Sequence, residues 1–375
     1  MSRSNVETGI LFVFKRLDPG GAELRTWEVV QAHGGRFEFL AVGGGRGLLD
    51  ERLESAGHVI HYVGRNLAGL MNVYVLLRKR RIRVLHAQVG AASGYLIAIA
   101  RIAGVPTRIA NFRSDLVGGR ARVAKSLYIA LSRALIRLFA TDLIGVSPGA
   151  LRGWSRRWQA DRRCIVIPNG VVVSKLLESA GRADPRRDWR TTVVSVGRDE
   201  QAKNRMRSIE VWSALAAETP SRLFLVGSLS EDERSAGEAA GRTHSSSEVV
   251  LTGRIEDVAP VIAQADVLLL TSQREGLPGV VLEALALGTP VVATALPGVR
   301  WIAEHVPGVV MLELDQPDEA WANAIRRATQ LDREEIRRAF DVGPFTVESS
   351  LTLFQEIWTR SRTPSVLGNS SDSTS

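Results

Sequence analysis

"REGLPGVVLEALALGTPVVAT", Arg274–Thr294, contains a loop, an apolar helical segment and the start of a strand within one short stretch. Ahead of it, "DVLLL" (266–270) reads as a buried strand and "TSQREGL" as its loop. Pro278 suits a first helical turn, Gly288 ends the helix, and "PVVAT" (290–294) is the next strand. Strand, helix and strand in this order make the repeating unit of a parallel sheet with crossover helices. Two glutamates stand out. Glu275 falls at the strand's carboxyl edge, and Glu283 lies in the second turn among Val280, Val281, Leu282, Ala284, Leu285 and Ala286. An unpartnered carboxylate is costly inside a protein, so Glu283 requires a protein cation, the surface or a ligand.

The same alternation runs outward in both directions. Towards the amino terminus, strands are expected at "ILFVF" (10–14), "FEFLAV" (37–42), "VIHYV" (59–63), "RVLHA" (83–87), "TRIANF" (107–112), "DLIGVS" (142–147) and within "CIVIPNGV" (164–171). A second series comprises "TTVVSVG" (191–197), "RLFLVG" (222–227), "EVVLTG" (248–253), "DVLLL" and "PVVAT". The expected fold class is therefore α/β, with two doubly wound Rossmann-like domains. Residues 1–172 form the amino-terminal domain, and 173–190, polar from Glu178 onward and containing Pro185, form a linker. Residues 191–344 form the second domain, 345–360 a closing helix, and 361–375 a disordered polar tail.

Composition narrows the class. Of the 375 residues, 45% are hydrophobic and 23% charged, the balance of a soluble globular chain with room for two cores. Cys164 is the single cysteine, which excludes an intrachain disulfide or a cysteine cluster and suits a reducing cytoplasm. The apolar run Ile10–Phe14 is too short for a signal sequence, and "GYLIAIARIAGV" is broken by Arg101, short of the about 18 to 20 residues of a membrane span. The formal net charge of +8, carried mostly by arginine, suits phosphate and carboxylate partners.

Ligands of open α/β sheets bind beyond the carboxyl ends of the strands, where helix N-termini favour anions. Four loops there carry candidate chemistry. After "ILFVF", Gly20 and Gly21 let backbone amides approach a phosphate, although a tight turn alone would use the same pair. After "VVSVG", Arg198 and Lys203 flank "RDEQAK" and could clamp a diphosphate, or be solvated surface charge. Glu275 and Glu283 supply acceptors for sugar hydroxyls, unless a cation such as Arg274 or Arg300 pairs with Glu283. His86 and Arg113 end two strands of the first half, as catalytic candidates or structural residues. No D-x-D pair and no zinc spacing occurs, so no metal is expected.

Taken together, "GGAE", "VSPGALRGW", "VIPNGV", "VGRDEQAKN" and "LTGRIEDVAPVIAQADVLLLTSQREGLPGVVLEALALGTPVVATALPGV" resemble, in order, the landmarks of family 4 retaining glycosyltransferases of the GT-B fold. The resemblance spans roughly residues 8–360 and implies two domains facing each other across a cleft. It implies that Glu283 holds the ribose hydroxyls of a nucleotide and Glu275 contacts the donor sugar. The backbone around Gly276, Leu277, Pro278 and Gly279 would help at the helix N-terminus. Arg198 and Lys203 would bind the donor diphosphate in place of a metal, Gly20 and Gly21 would approach the phosphates, and Gly253 and Arg254 would meet the base. Three positions depart from the pattern: Val172 stands where an acidic residue usually follows "VIPNGV", Arg113 where many relatives have a histidine, and Arg300-Trp301 where an acidic residue is common.

A final feature concerns the acceptor. "GGRARVAKSLYIALSRALIRLFATD" (118–142) sets Arg120, Arg122, Lys125, Arg133 and Arg137 against Leu127, Ile129, Leu131, Leu135, Ile136 and Leu138. With "LLRKRRIRV" (76–84), it suits either peripheral contact with an anionic membrane or ordinary packing on a sheet. The expected protein is a cytoplasmic, metal-independent retaining glycosyltransferase with no cofactor, placed peripherally on the inner face of the membrane. Its donor would be a UDP-, GDP- or ADP-sugar, its acceptor a glycan or lipid-linked glycan, and its setting bacterial surface polysaccharide or glycolipid assembly. The alternatives are a sugar-nucleotide epimerase of the same architecture and a basic nucleic-acid-binding protein, the latter disfavoured because few aromatics accompany the basic clusters.

Overall fold

A computed structural model describes residues 7–64, 66–113, 123–181 and 191–360. Contacts divide the chain into two units: the first runs to Val146 and resumes at Ala150–Ile167 and from Leu351, while the second comprises Ser147–Gly149 and Pro168–Ser350. The first half of the chain contains β1 (Glu7–Phe14), α1 (Gly21–His33), β2 (Arg36–Ala41), α2 (Asp50–Ser55), β3 (Val59–Tyr62), α3 (Leu67–Lys79) and β4 (Val84–Ala87). It continues with α4 (Ser93–Ile102), β5 (Thr107–Phe112), α5 (Val123–Phe139), β6 (Asp142–Gly145), α6 (Pro148–Trp154) and β7 (Cys164–Val166). These seven strands form one parallel sheet in the order β3-β2-β1-β4-β5-β6-β7.

The second half contains α7 (Val173–Ala180), β8 (Thr191–Val196), α8 (Arg205–Glu218), β9 (Ser221–Val226), α9 (Glu231–Thr243), β10 (Glu248–Gly253), α10 (Ala259–Gln264) and β11 (Val267–Leu270). After these come α11 (Gly279–Ala286), β12 (Val291–Thr294), α12 (Pro297–Ala303), β13 (Val309–Leu312), α13 (Asp318–Ala328), α14 (Arg333–Asp341) and α15 (Val347–Thr359). Its sheet is also parallel, in the order β10-β9-β8-β11-β12-β13. Both sheets reverse direction beside their first strand, and the crevice at such a switch point is where doubly wound folds take ligands. The reversal lies between β1 and β4 in one unit and between β8 and β11 in the other.

Burial explains the unbroken apolar strand sequences. Ile10–Phe14 of β1 and Val267–Leu270 of β11 are buried along their whole length because helices cover both sheet faces. Trp212 and Trp321 anchor the second core between α8, α13 and the sheet. In the first unit, α4 and α5 approach closely at Gly94, whose amide bonds the Ser132 hydroxyl at 3.0 Å. A Cβ on Gly94 would lie 2.3 Å from the Ser132 carbonyl oxygen, so any side chain there pushes the two helices apart.

Several boundaries differ from the sequence reading. Residues 173–180, assigned to a linker, instead form α7, which packs on α10 and α11. Val173, Leu176 and Ala180 share one helical face, and the buried Ser179 hydroxyl bonds Asp257 just ahead of α10. Residues 182–190 of the assigned linker, the tail 361–375 and the start of the basic helix at 118–122 lie outside the described residues. The four-residue edge strand β13 was not anticipated. In α15, Val347 bonds Val171 and Ser350 bonds Pro168 within the second unit, while Phe354 stacks on Trp358, whose ring meets Phe12 and Phe37 of the first. No helix among the described residues is long and apolar enough to cross a membrane.

Candidate active site

The carboxyl ends of β8 and β11 carry the closest meeting of sequence-predicted residues. After β8 the chain passes through Gly197 and Arg198 into a 3-10 turn, Gln201–Lys203, then Asn204, and only then into α8. Asn204 sits in the left-handed region with φ 51°, which asparagine tolerates better than most side chains. The Gln273 amide donates to the Ala202 carbonyl at 2.8 Å, tying the loop after β11 to this turn. Lys203 Nζ thereby reaches Glu275 Oε1 at 2.6 Å, and the Ser272 hydroxyl donates to the same oxygen at 3.0 Å. The two charged side chains retain 21% and 13% exposure, so the pair is reachable from solvent.

Beneath this pair runs a chain of buried hydroxyls that the sequence reading missed. Ser195 and Ser208 are 3.1 Å apart, Ser208 and Thr271 are 2.7 Å apart, and Thr271 donates to the Asn204 carbonyl at 2.9 Å. The signal lay in small hydroxyl residues ending apolar strands, in "VVSVG" and "LLLTS". Arg205 was also missed. The residue is 1% exposed, and one guanidinium nitrogen donates to the carbonyls of Gly197 at 2.7 Å and Val226 at 2.8 Å, clamping the ends of β8 and β9. Burial lowers its pKa, opposed by the nearby Glu233 and Asp199 carboxylates.

The third strand end joins through glycine. The Gly227 amide, at φ 115°, donates to the Gly253 carbonyl at 2.8 Å, and a Cβ on Gly227 would lie 1.9 Å from the Gly197 oxygen. Gly253 and Arg254 thus follow directly from the clamped ends of β8 and β9, with Arg254 exposed. Gly276, Leu277 and Pro278 lead into α11, whose N-cap is Pro278 and which has no side-chain cap. Val281 and Leu282 donate to the Pro278 carbonyl, and a helix start of this kind leaves its foremost amides for an acceptor or anion. Glu283 is partly buried in its second turn and is partnered within the protein, so a ligand is not the sole means of meeting its charge.

The other candidates have contacts of their own. Arg198 is 69% exposed and pairs with Glu200 at 2.9 Å. Arg300 pairs with Glu313 at 2.6 Å in the wall of an open cavity of about 610 Å³ beside β12 and β13. In the first unit, Gly20 is the N-cap of α1, again without a side-chain cap. Arg113, at the end of β5, donates to Gln88 Oε1 at 2.5 Å and to the Thr26 hydroxyl at 3.3 Å, while Gln88 also donates to Thr26 at 2.8 Å. Burial pushes the Arg113 guanidinium down to about 10, with Glu23 acting against it, so it stays cationic near neutrality. Gln88 and Thr26 were not anticipated because neither neighbours Arg113 in sequence.

His86 is a core residue in this structure. It is wholly buried, packs against Phe12 and Phe354 with ring centroids 5.0 and 5.4 Å away, and meets Asn111 Nδ2 at 3.2 Å. Burial, with a smaller contribution from Arg113, pushes its pKa down to about 3. The neutral imidazole is enclosed between the two aromatic rings. The physical reason is its position in β4, one residue before the strand ends at Ala87.

Two parallel doubly wound units of this kind make up the GT-B fold. Residues 190–330 match the sequence model of the family described as glycosyl transferases group 1. The capsular polysaccharide biosynthesis glycosyltransferase CapH of Staphylococcus aureus is 26% identical over 328 residues, covering 85% of this chain and 90% of that protein. The putative glycosyltransferase EpsF of Bacillus subtilis is 25% identical over 363 residues, covering 89% and 86%. Among solved structures, Anabaena Alr3699/HepE in complex with UDP superposes with a TM-score of 0.73 at 18% identity, covering 92% of this chain and 98% of that one. The chain is an enzyme of the transferase class, and the GT-B architecture expected from the sequence is the one observed.

Proposed function

We propose that this enzyme transfers a sugar from a nucleoside-diphosphate sugar to a glycan or lipid-linked acceptor, with retention at the anomeric carbon and without a metal ion or other cofactor. The observation that carries the reading is the 2.6 Å contact between Lys203 and Glu275 beside the uncapped start of α11. A cation, a carboxylate and free helix amides at a switch point are complementary to a diphosphate joined to a sugar. In the proposed step the bond from the anomeric carbon to the diphosphate oxygen breaks and its electron pair leaves with the diphosphate. The acceptor hydroxyl bonds to the same face, and its proton passes to the departing phosphate oxygen.

Lys203 and Arg198 stabilise the charge that grows on the leaving group. As the phosphate takes the ammonium of Lys203, Glu275 is released to accept hydrogen bonds from the sugar. Glu283 accepts from the ribose, and Gly253 and Arg254 lie where the base would rest. The role of CapH in capsular polysaccharide biosynthesis supports a place in polysaccharide assembly. The complex of HepE with UDP supports uridine nucleotides as the first donors to test. Mass spectrometry of UDP-sugars incubated with the protein checks the reading: consumption should require an acceptor, release UDP and survive EDTA. An epimeric sugar nucleotide formed without acceptor gives the epimerase alternative.

A further inference from the structure

Lys203 and Glu275 come from loops after two different strands, and the two residues that follow β11 touch the supports of both. Thr271 is 1% exposed and Ser272 is fully buried. The Thr271 hydroxyl donates to the carbonyl of Asn204, the residue after Lys203, at 2.9 Å. The Ser272 hydroxyl donates at 3.0 Å to Glu275 Oε1, the same oxygen that Lys203 meets. Adjacent hydroxyls at one strand end thus hold the backbone behind the cation and the carboxylate itself. The backbone bond from Gln273 to Ala202, at 2.8 Å, closes the same seam.

The hydroxyls behind Thr271 form a relay with one direction, because each has a single proton to donate. Thr271 gives its proton to Asn204, so Ser208, 2.7 Å away, must donate to Thr271. Ser195, 3.1 Å from Ser208, must then donate to Ser208. All three are buried, and each bond polarises the next, which strengthens the last one on Asn204. Asn204 holds a left-handed conformation, φ 51° and ψ 50°, and its carbonyl also accepts from the Arg207 amide at 3.1 Å where α8 begins. Alanine at 208 and valine at 271 would fill nearly the same volume with no buried hydroxyl to satisfy. The relay therefore answers a need of the Asn204 turn rather than of the core.

We infer that Thr271 and Ser272 are positioning residues for the Lys203–Glu275 pair: Thr271, backed by Ser208 and Ser195, fixes the turn that carries Lys203, and Ser272 fixes the Glu275 carboxylate. The positioning stands on this seam alone. Its consequence, that the two hydroxyls govern the affinity for a nucleoside diphosphate without touching it, rests on the transfer reading above.

Two measurements on the full chain test this separately. Without nucleotide, limiting acetic anhydride should acetylate Lys203 faster in Thr271→Val and Ser272→Ala than in wild type, read by peptide mass spectrometry against the exposed Lys15, Lys79 and Lys175. In calorimetric titrations with UDP, GDP and ADP, Thr271→Val should weaken whichever binds wild type by about threefold to tenfold, the loss of one hydrogen bond, and Thr271→Ser should restore most of it. Added to Lys203→Met, Thr271→Val should cost nothing more, because it acts through the lysine. A merely structural role would leave its effect intact in that background. Should Thr271→Val not fold, Ser208→Ala, one bond further back, gives the same readouts. Unchanged acetylation of Lys203, or an undiminished Thr271→Val effect beside Lys203→Met, overturns the inference. Faster acetylation in the variants with no nucleotide bound by wild type would count against the transfer reading and leave the positioning intact.

Discussion

Lys203 and Glu275, 72 residues apart in sequence, meet at 2.6 Å across the switch point of the second sheet. On the proposed function, these are the side chains that would meet a donor's diphosphate and sugar. The contact also stops the two charges from being left alone when no ligand is present. Because both partners retain solvent contact, the pair contributes little to folding, about 1 kcal/mol or less. On the proposed function, its effect belongs to binding.

Lys203→Met should therefore lower donor affinity by about tenfold to a hundredfold, the loss of one charge-assisted contact to phosphate. The melting temperature should move little. Titration calorimetry with UDP and a thermal melt on the same sample separate the two effects.

Glu283→Gln keeps the size of the side chain and removes its charge. If a ribose meets this carboxylate, UDP affinity should fall about tenfold. A variant that binds UDP as wild type does would assign Glu283 to a structural partner alone.

Arg205→Met should be felt in stability. Two hydrogen bonds from a charged donor disappear and the Gly197 and Val226 carbonyls lose a donor, while the methionine avoids the cost of burying a charge. The net expected loss is about 2–4 kcal/mol, read from urea unfolding. Arg205→Lys should recover part of it.

His86 gives a pH test. Its folded pKa of about 3 lies below the ordinary 6.5, so between these values the unfolded chain binds a proton that the folded chain does not. Stability from this group is complete above pH 6.5 and is lost as pH falls towards 3, at up to about 1.4 kcal/mol per pH unit. His86→Phe should flatten the acid limb of the stability curve by about that slope, whatever its effect at neutral pH.

Much of this architecture was legible in the sequence for a physical reason. Strands covered on both faces must be apolar throughout, so β1, β8 and β11 announced themselves, and their carboxyl ends located Lys203 and Glu275. What escaped notice lacked a local signal. Arg205 sits in "KNRMR", which reads as solvated charge, and only the fold shows that one of its arginines is buried against two carbonyls. The serine and threonine chain under Asn204 joins residues up to 76 positions apart, from Ser195 to Thr271. In α5 the apolar and basic positions were visible, but the turn of Arg133 onto Trp154, and of the leucines outward, depended on α6. His86 ended an apolar strand as a site residue would, and the aromatic rings of Phe12 and Phe354 that enclose it come from distant segments.

The most direct test is calorimetric titration of the purified chain with UDP, GDP and ADP in EDTA, for wild type beside Lys203→Met. The account predicts saturable binding of at least one nucleoside diphosphate without metal, weakened about tenfold or more by the substitution. Failure of all three to bind, or equal binding by both proteins, would contradict it.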